Sequence, residues 1–370
     1  MRILYTNFHP RNGGGHATYV VNLARCFQGA HQVTVATPGT SRLYVQAGRI
    51  PGVRCVAASF STRPAPMLAE VAHLRRLLRE GDFDLVHVNG SADHRQAMLA
   101  RLGLRRPPRI VWTKHNTMPV QGFGHWLRAR CATEGAIGVS EFVTAMLRRS
   151  AYRHRPLRAI HHGVDAERFR PWAPADAREA RRALLGETPA DVLVLASVGG
   201  TDRDKGWLVL AQALARLPQQ QRRRVRVLVA GDVPRGRLQQ DFQALGLDGL
   251  VVFPGLVNDP ERILAAADAG FVLSFHEACS FAACESLAMG LPTLVSDVGG
   301  LPEVVRHGVD GWIVPAGDVD AAEAWLRERL SQPISAGMPA AARARAQESF
   351  SMQVFARRTL EFYRQVCAQD

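Results

Sequence analysis

In the segment His276-Glu277-Ala278-Cys279-Ser280-Phe281-Ala282-Ala283-Cys284-Glu285, two carboxylates stand eight positions apart. An apolar strand pattern, Ala269–Leu273, precedes it and a helical pattern follows, so Glu277 falls in a loop and Glu285 about two turns further along, in the helix. Carboxylates accept hydrogen bonds from hydroxyls, and the free N–H groups of a helix start, here around Ser280 and Phe281, bind phosphate or hydroxyl oxygens. Together they suit a polyol that carries phosphate. A loop glutamate and an ordinary helix glutamate with no common ligand would show the same spacing.

Three further groups could add to this chemistry. Ser197-Val-Gly-Gly-Thr-Asp-Arg-Asp-Lys-Gly206 follows a strand and opens a helix, Trp207–Leu217. Its Arg203 and Lys205 suit a diphosphate, whereas Asp202 and Asp204 fit a solvated charged loop. Asn12-Gly13-Gly14-Gly15-His16 lies between the first strand and the first helix. Backbone N–H groups at Gly14 and Gly15 can approach an anion closely there, although a plain glycine-rich turn reads the same. His115 and Asn116 follow the strand Ile110–Thr113 and point to its carboxyl end. A histidine in that place is more often structural than catalytic. His87, His161 and His162, in or near other strand ends, take the structural reading.

Other chemistries fail on their signatures. The glycine segment is not G-x-G-x-x-G, and no acid ends the second strand, so a nicotinamide dehydrogenase is not expected. There is no P-loop, no G-x-S-x-G, no H-E-x-x-H and no Cys/His metal spacing. No aromatic-interleaved basic stretch or nucleic-acid motif appears, so a nucleic-acid partner is not expected.

The elements that position these groups alternate along the whole chain. Apolar β-branched runs (Arg2–Thr6, Gln32–Ala36, Val53–Ala57, Leu85–Val88, Ile110–Thr113, Ala136–Val139, Leu157–Ile160) are separated by helical patterns, among them Ala17–Phe27, Met67–Arg79, His94–Leu102 and Glu141–Arg148. A second series comprises Val192–Ala196, Val225–Ala230, Val251–Phe253, Ala269–Leu273, Thr293–Ser296 and Trp312–Val314. Apolar strands with intervening helices predict parallel sheets covered on both faces. The strand-free, proline-bearing stretch 168–190 separates the series. The expected fold class is α/β: two Rossmann-like domains facing each other across a cleft, 1–168 and 169–349, with a last amphipathic helix over 350–370.

With 370 residues, 47% hydrophobic and 21% charged, the chain is of two-domain size, and disordered, collagen-like and disulfide-scaffold classes are excluded. Six scattered cysteines and an N-terminus that enters a strand without an apolar leader lead us to expect a cytoplasmic protein, with no run near the ~20 apolar residues of a membrane span. The net charge of +13 is uneven: residues 1–168 carry 24 basic and nine acidic side chains, residues 169–370 carry 22 and 24. Arginine-rich composition accounts for part of this, since only Lys114 and Lys205 are lysines. The asymmetry nevertheless points to an anionic partner of the first half.

Taken together, the chain resembles the retaining glycosyltransferases of family four, which have the GT-B fold. Glu277 and Glu285 match the E-x7-E signature, followed by Ala288-Met-Gly-Leu-Pro292 and Ser296-Asp-Val-Gly-Gly-Leu-Pro-Glu303. Ile160-His-His-Gly-Val-Asp165 resembles the end of the first domain, Val251-Val-Phe-Pro-Gly-Leu256 the strand and turn near the nucleotide base, and the final helix the one that crosses back to the first domain. The resemblance implies that the donor is a nucleotide sugar, needed as substrate with no cofactor and no metal. It implies that Gly14 and Gly15 approach the donor diphosphate and that Lys205 neutralises it. Glu285 would hold the ribose hydroxyls and Glu277 the transferred sugar. Amides around Ser280 and Phe281 would touch sugar or phosphate, and His115 would contact the sugar beside the reacting carbon. Three positions depart from the family pattern. Gly200 replaces a usual arginine, leaving Arg203 to supply that charge; Ser280 replaces a common glycine; Asn89 replaces a frequent histidine.

The resemblance implies transfer of a sugar to a glycan or glycolipid acceptor bound by the first domain. Its basic half suits an anionic acceptor and peripheral contact with the inner membrane leaflet, as in synthesis of lipopolysaccharide core or a related surface polysaccharide. A nucleotide-sugar epimerase or phosphorylase on the same fold, or a non-catalytic sugar-nucleotide binder, is the alternative.

Overall fold

The computed structural model describes residues 1–11 and 14–368, so Asn12 and Gly13 of the glycine-rich segment lie outside the described residues. The chain divides into two units, Met1–Gly163 with Met352–Asp370, and Val164–Ser351. The division falls five residues before the expected boundary at 168/169, for a reason of long-range bonding. Val164 N donates to Phe350 O (2.8 Å), Arg343 donates to Ala166 O and Phe169 O, and Arg168 reaches Glu261 and Asn258 O. These bonds attach residues 164–169 to the second unit. The expected tail helix over 350–370 is interrupted at Ser351: one helix ends at Phe350 and the next runs Met352–Cys367 within the first unit.

In the first unit the strands are β1 (Arg2–Thr6), β2 (Gln32–Thr37), β3 (Val53–Ala57), β4 (Leu85–Val88), β5 (Arg109–Lys114), β6 (Gly135–Gly138) and β7 (Leu157–Ala159). They form one parallel sheet in the order β3-β2-β1-β4-β5-β6-β7, with Tyr5 of β1 opposite Val35 of β2 and His87 of β4. In the second unit β8 (Leu193–Ser197), β9 (Val225–Val229), β10 (Val251–Val252), β11 (Ala269–Val272), β12 (Thr293–Ser296) and β13 (Gly311–Val314) form a second parallel sheet, β10-β9-β8-β11-β12-β13. All thirteen strands read from the sequence form, with ends shifted by no more than one residue. Three helices begin three residues earlier than their apolar periodicity, at Gly14, Pro64 and Ser91. The first turn of a surface helix packs little, so the buried stripe becomes visible only after it.

Both sheets are covered on both faces. In the second, Val194, Ala196, Val272 and Val295 enter one apolar cluster, while Leu195, Phe271 and Leu294 enter the cluster on the opposite face. This is the period-two alternation of a strand whose two sides are both core. Strand order reverses between β1 and β4 in the first unit and between β8 and β11 in the second. Loops beyond the carboxyl ends of those strands form the crevice where such sheets bind ligands.

The loops after β8 and β11 touch at Gly206. Its φ is +67°, and a Cβ there would lie 1.7 Å from the Leu273 carbonyl oxygen. Only glycine permits this approach. Beside it, Phe275 N donates to Asp204 O (2.9 Å), which joins the two loops. We expect Gly206→Ala to destabilise the protein by about 3 kcal/mol or more, from backbone strain plus the clash. Gly246→Ala, at an exposed glycine of φ +60° with no atom near its Cβ, should cost only about 1 kcal/mol. Thermal melts of the two variants check this; equal losses would contradict it.

Candidate active site

The stitched loops of the second unit bring Lys205 and Glu277 together. Lys205 Nζ donates to Glu277 Oε2 at 3.0 Å, and Ser274 Oγ donates to the same oxygen at 3.4 Å. The Lys205 side chain is 32% exposed and that of Glu277 14%, so the pair is sheltered yet open to a ligand. Its backbone is held from the β12 side as well. Gly300 N donates to Glu277 O (3.1 Å), and Ser296 Oγ donates to Ser274 O (2.6 Å). Gly299 has φ +55° and would place a Cβ 1.7 Å from Glu277 O, which explains the glycine at that position.

The helix Phe281–Ala288 starts directly beyond this loop. Ser280 is its N-cap, and the Ser280 hydroxyl accepts from Ala283 N at 3.2 Å. Cys279 and Cys284 occupy the positions just before the cap and four residues into the helix, where side chains commonly pack and fix the chain's entry; the two thiols are buried and hydrogen-bonded to each other. The N–H groups of the first turn are thus presented beside Glu277, carrying the positive end of the helix dipole. Glu285 lies in the second turn, half-buried. Burial pushes its carboxyl up to about 7, opposed by the Arg168 cation and reinforced by Glu261. Arg203 does not join Lys205. It sits in the single turn Arg203–Lys205, mostly exposed, and its guanidinium pairs with Asp241 Oδ2 at 3.2 Å.

In the first unit, Gly14 and Gly15 form the exposed first residues of the helix Gly14–Phe27. His115 follows β5 directly, and its Nε2 donates to Asn89 Oδ1 (2.8 Å). That bond places the ring proton on Nε2 and leaves Nδ1 as an acceptor; Nδ1 is buried and has no hydrogen-bond partner among the described residues. Asn89 is itself anchored: its backbone N–H donates to Asp93 Oδ2 (2.8 Å), which also accepts from Thr6 Oγ1 (2.7 Å). Burial pushes the Asp93 carboxyl up to about 7, against these bonds.

Around His115 four more histidines gather. Its ring centroid is 4.3 Å from that of His16 and 6.2 Å from that of His162, and His16 is 4.6 Å from His9. The Tyr19 ring meets His115, His87 and His162 edge-on. His87 bonds Thr113 Oγ1 (2.6 Å) and the hydroxyl of Tyr363 from the last helix. Burial holds His115 well below the usual histidine range, with the neighbouring histidines adding to the effect. It brings His16 down to about 4 and both His87 and His162 to about 3. The cluster is therefore neutral at physiological pH. Among the described residues no group of three or more His, Cys, Asp or Glu is arranged to hold a metal.

The sequence reading singled out Gly14, Gly15, His115, Arg203, Lys205, Glu277, Ser280, Phe281 and Glu285, gave His87 and His162 a structural reading, and did not single out Ser274, Asp93, His9 or His16. Ser274 could have been found as the residue after the strand that ends before Glu277. The gathering of the histidines depends on β1, β4, β5 and β7 belonging to one sheet.

Comparison with known proteins agrees with this architecture. A family model described as Glycosyltransferase Family 4 matches residues 13–168, and one described as Glycosyl transferases group 1 matches residues 192–332. Together they cover most of the chain, which belongs to the glycosyltransferases of this family and has the GT-B fold. A glycosyltransferase structure from Rickettsia africae superposes with TM-score 0.85 at 19% identity, over 100% of this chain and 99% of that one. The structure of Anabaena HepE in complex with UDP and glucose gives TM-score 0.83 at 18% identity, over 98% and 99%. The D-inositol 3-phosphate glycosyltransferase of Saccharomonospora viridis is 37% identical over 224 residues, 57% of this chain and 51% of that protein. The chain thus spans about half the length of the curated relatives it matches.

The histidines have a consequence for stability. Their folded pKa values lie below the unfolded value near 6.5, so the unfolded chain binds more protons between about pH 4 and 6.5 and stability falls as pH drops through that range. Burial also lowers His125 to about 4, in the same direction, whereas Asp93 and Glu285 act oppositely. We expect a melting temperature at pH 5 at least roughly 5 °C below that at pH 7.5, and a smaller difference in His87→Gln. A pH-independent melt would contradict the neutral, buried assignment.

Proposed function

We propose that this chain transfers a sugar from a nucleoside-diphosphate sugar to a hydroxyl of a phosphate-bearing acceptor, with retention at the anomeric carbon and without a metal. The observation that carries the reading is the Lys205–Glu277 pair beside the start of the helix Phe281–Ala288. It offers one cation and several N–H donors to a diphosphate, and a carboxylate to sugar hydroxyls, at the carboxyl ends of the adjacent strands β8 and β11. In the step proposed, the bond between the anomeric carbon and the phosphate oxygen breaks and that carbon becomes cation-like. The acceptor oxygen bonds to the face vacated, and its proton passes to the departing diphosphate. Lys205 and the helix N-terminus stabilise the charge that develops on the leaving group. Glu277 receives hydroxyls of the transferred sugar, and Glu285 those of the ribose. His115, neutral with Nδ1 as acceptor, takes a sugar hydroxyl, and Gly14 and Gly15 border the diphosphate.

Arg203, paired with Asp241 and mostly exposed, contributes at most long-range attraction, so Lys205 is the main cation of the proposed site. For the donor, the UDP and glucose named with the HepE structure support a uridine nucleotide. For the acceptor, the name D-inositol 3-phosphate glycosyltransferase supports a phosphorylated polyol. Lipopolysaccharide core and other lipid-linked glycans carry the same phosphate chemistry, and peripheral contact of the basic first unit with an anionic inner leaflet belongs to that form of the proposal. No described helix is long and apolar enough to cross a membrane.

Calorimetric titration with UDP in the presence of EDTA tests the site. Because Glu285 is pushed up to about 7 and ribose hydroxyls require its ionised form, affinity should rise about tenfold from pH 6 to pH 8. Glu285→Gln should remove that rise, and Lys205→Ala should weaken transfer more than it weakens binding. EDTA-sensitive binding, or near-normal turnover in Lys205→Ala, would overturn the assignment.

A further inference from the structure

In the first unit Asp93 is fully buried, and its carboxylate meets hydroxyl and amide donors rather than a cation among the described residues. Such a group is costly to bury, because its ionised form loses hydration. One oxygen, Oδ2, ties two strand ends together. It accepts from Thr6 Oγ1 at the end of β1 (2.7 Å) and from Asn89 N just after β4 (2.8 Å). The Asn89 side chain continues the line: its Nδ2 donates to Thr6 O (3.0 Å), and its Oδ1 accepts from His115 Nε2 just after β5 (2.8 Å). Strands β1, β4 and β5 are neighbours in the sheet, so the carboxylate is linked to the imidazole across three strand ends.

Helix capping does not account for this arrangement. Asp93 is the third residue of the helix Ser91–Arg101, where a carboxylate ordinarily reaches back to the N–H of the N-cap residue, here Gly90. It passes Gly90, takes the N–H one residue earlier and crosses to β1. What these bonds fix is an orientation. The two ends of an asparagine amide have nearly the same shape and the opposite hydrogen-bonding sense. With Thr6 held by its hydroxyl and Asn89 by its N–H, a reversed amide would set Oδ1 against Thr6 O, acceptor facing acceptor. The observed sense bonds at both ends. It obliges His115 to donate through Nε2 and keeps Nδ1 as the acceptor.

We propose that Asp93 is a positioning residue for sugar transfer: by anchoring Thr6 and Asn89 it locks the Asn89 amide and, through it, the tautomer and placement of the His115 imidazole. This deepens the proposed function and rests on the role given there to His115. Without the carboxylate, Thr6 Oγ1 and Asn89 N lose their acceptor, the amide can turn over, and Nδ1 carries the ring proton in part of the molecules. An imidazole in that form cannot accept a sugar hydroxyl at Nδ1.

The test uses the full chain with isotope-labelled histidine. Long-range proton–nitrogen correlation spectra report the tautomer of each ring, and the His115 signals are identified by their loss in His115→Gln. The unmodified protein should hold His115 wholly as the Nε2–H form. Asp93→Ala should show both tautomers or the Nδ1–H form. Asp93→Asn, whose amide oxygen can accept the same two bonds, should return the Nε2–H form. Release of UDP from UDP-glucose supplies the second readout: kcat should fall about tenfold in Asp93→Ala with KM changed by less than about twofold, the mark of an interaction made in the transition state. Asp93→Asn should recover most of that loss. Should Asp93→Ala fail to fold, Thr6→Val, which removes one of the two donors, should shift tautomer and kcat the same way by a smaller amount. An unchanged tautomer in Asp93→Ala, or in Thr6→Val where only that variant folds, or a loss that Asp93→Asn does not relieve, would overturn the proposal. UDP-glucose turnover with an unchanged tautomer refutes the role of Asp93 alone; the expected tautomers without turnover of UDP-glucose refute the donor reading alone.

Discussion

The contact between Lys205 and Glu277 is the interaction on which the candidate site depends, and it exists only because two loops can approach within van der Waals limits. An ion pair at this exposure contributes little to stability by itself. Its value lies in placement: a cation, a carboxylate and a helix start share the carboxyl end of β8 and β11, where strand order reverses. Gly206 and Gly299 make that possible from opposite sides, each facing a carbonyl oxygen at a distance no Cβ tolerates. The motif is thus as much a set of backbone permissions as a set of charged side chains.

That division explains what could be read from the sequence. The strands were legible to within a residue because both sheets are buried on both faces, which leaves short apolar runs with sharp polar borders. Glu277, Glu285 and Lys205 were legible because each follows a strand at a motif spacing. The pairing of Arg203 with Asp241 was not, since the partner lies 38 residues away on the exposed surface of another helix. The unit boundary was misplaced for a similar reason. Proline content marks residues 168–190 as a break, but Arg343 and Arg168 bind the preceding residues into the second unit, and no local pattern signals that.

The first unit shows the same limit in another form. His9, His16, His87, His115 and His162 are spread over more than 150 residues, and each alone reads as a structural histidine. The fold brings His87, His115 and His162 against Tyr19, with His16 and then His9 stacked beyond His115; burial keeps them neutral, and Asn89 sets the tautomer of His115. A neutral imidazole with a free acceptor nitrogen recognises a hydroxyl rather than a phosphate. In the proposed function the histidine cluster and the basic charge of this unit would serve different parts of a substrate.

The most direct test of the account is a crystal structure of the chain with UDP bound. The account predicts diphosphate oxygens within about 3 Å of Lys205 Nζ and of N–H groups in the first turn of Phe281–Ala288, with the ribose hydroxyls on Glu285. A nucleotide bound with Lys205 and Glu277 still paired and out of its reach would contradict it.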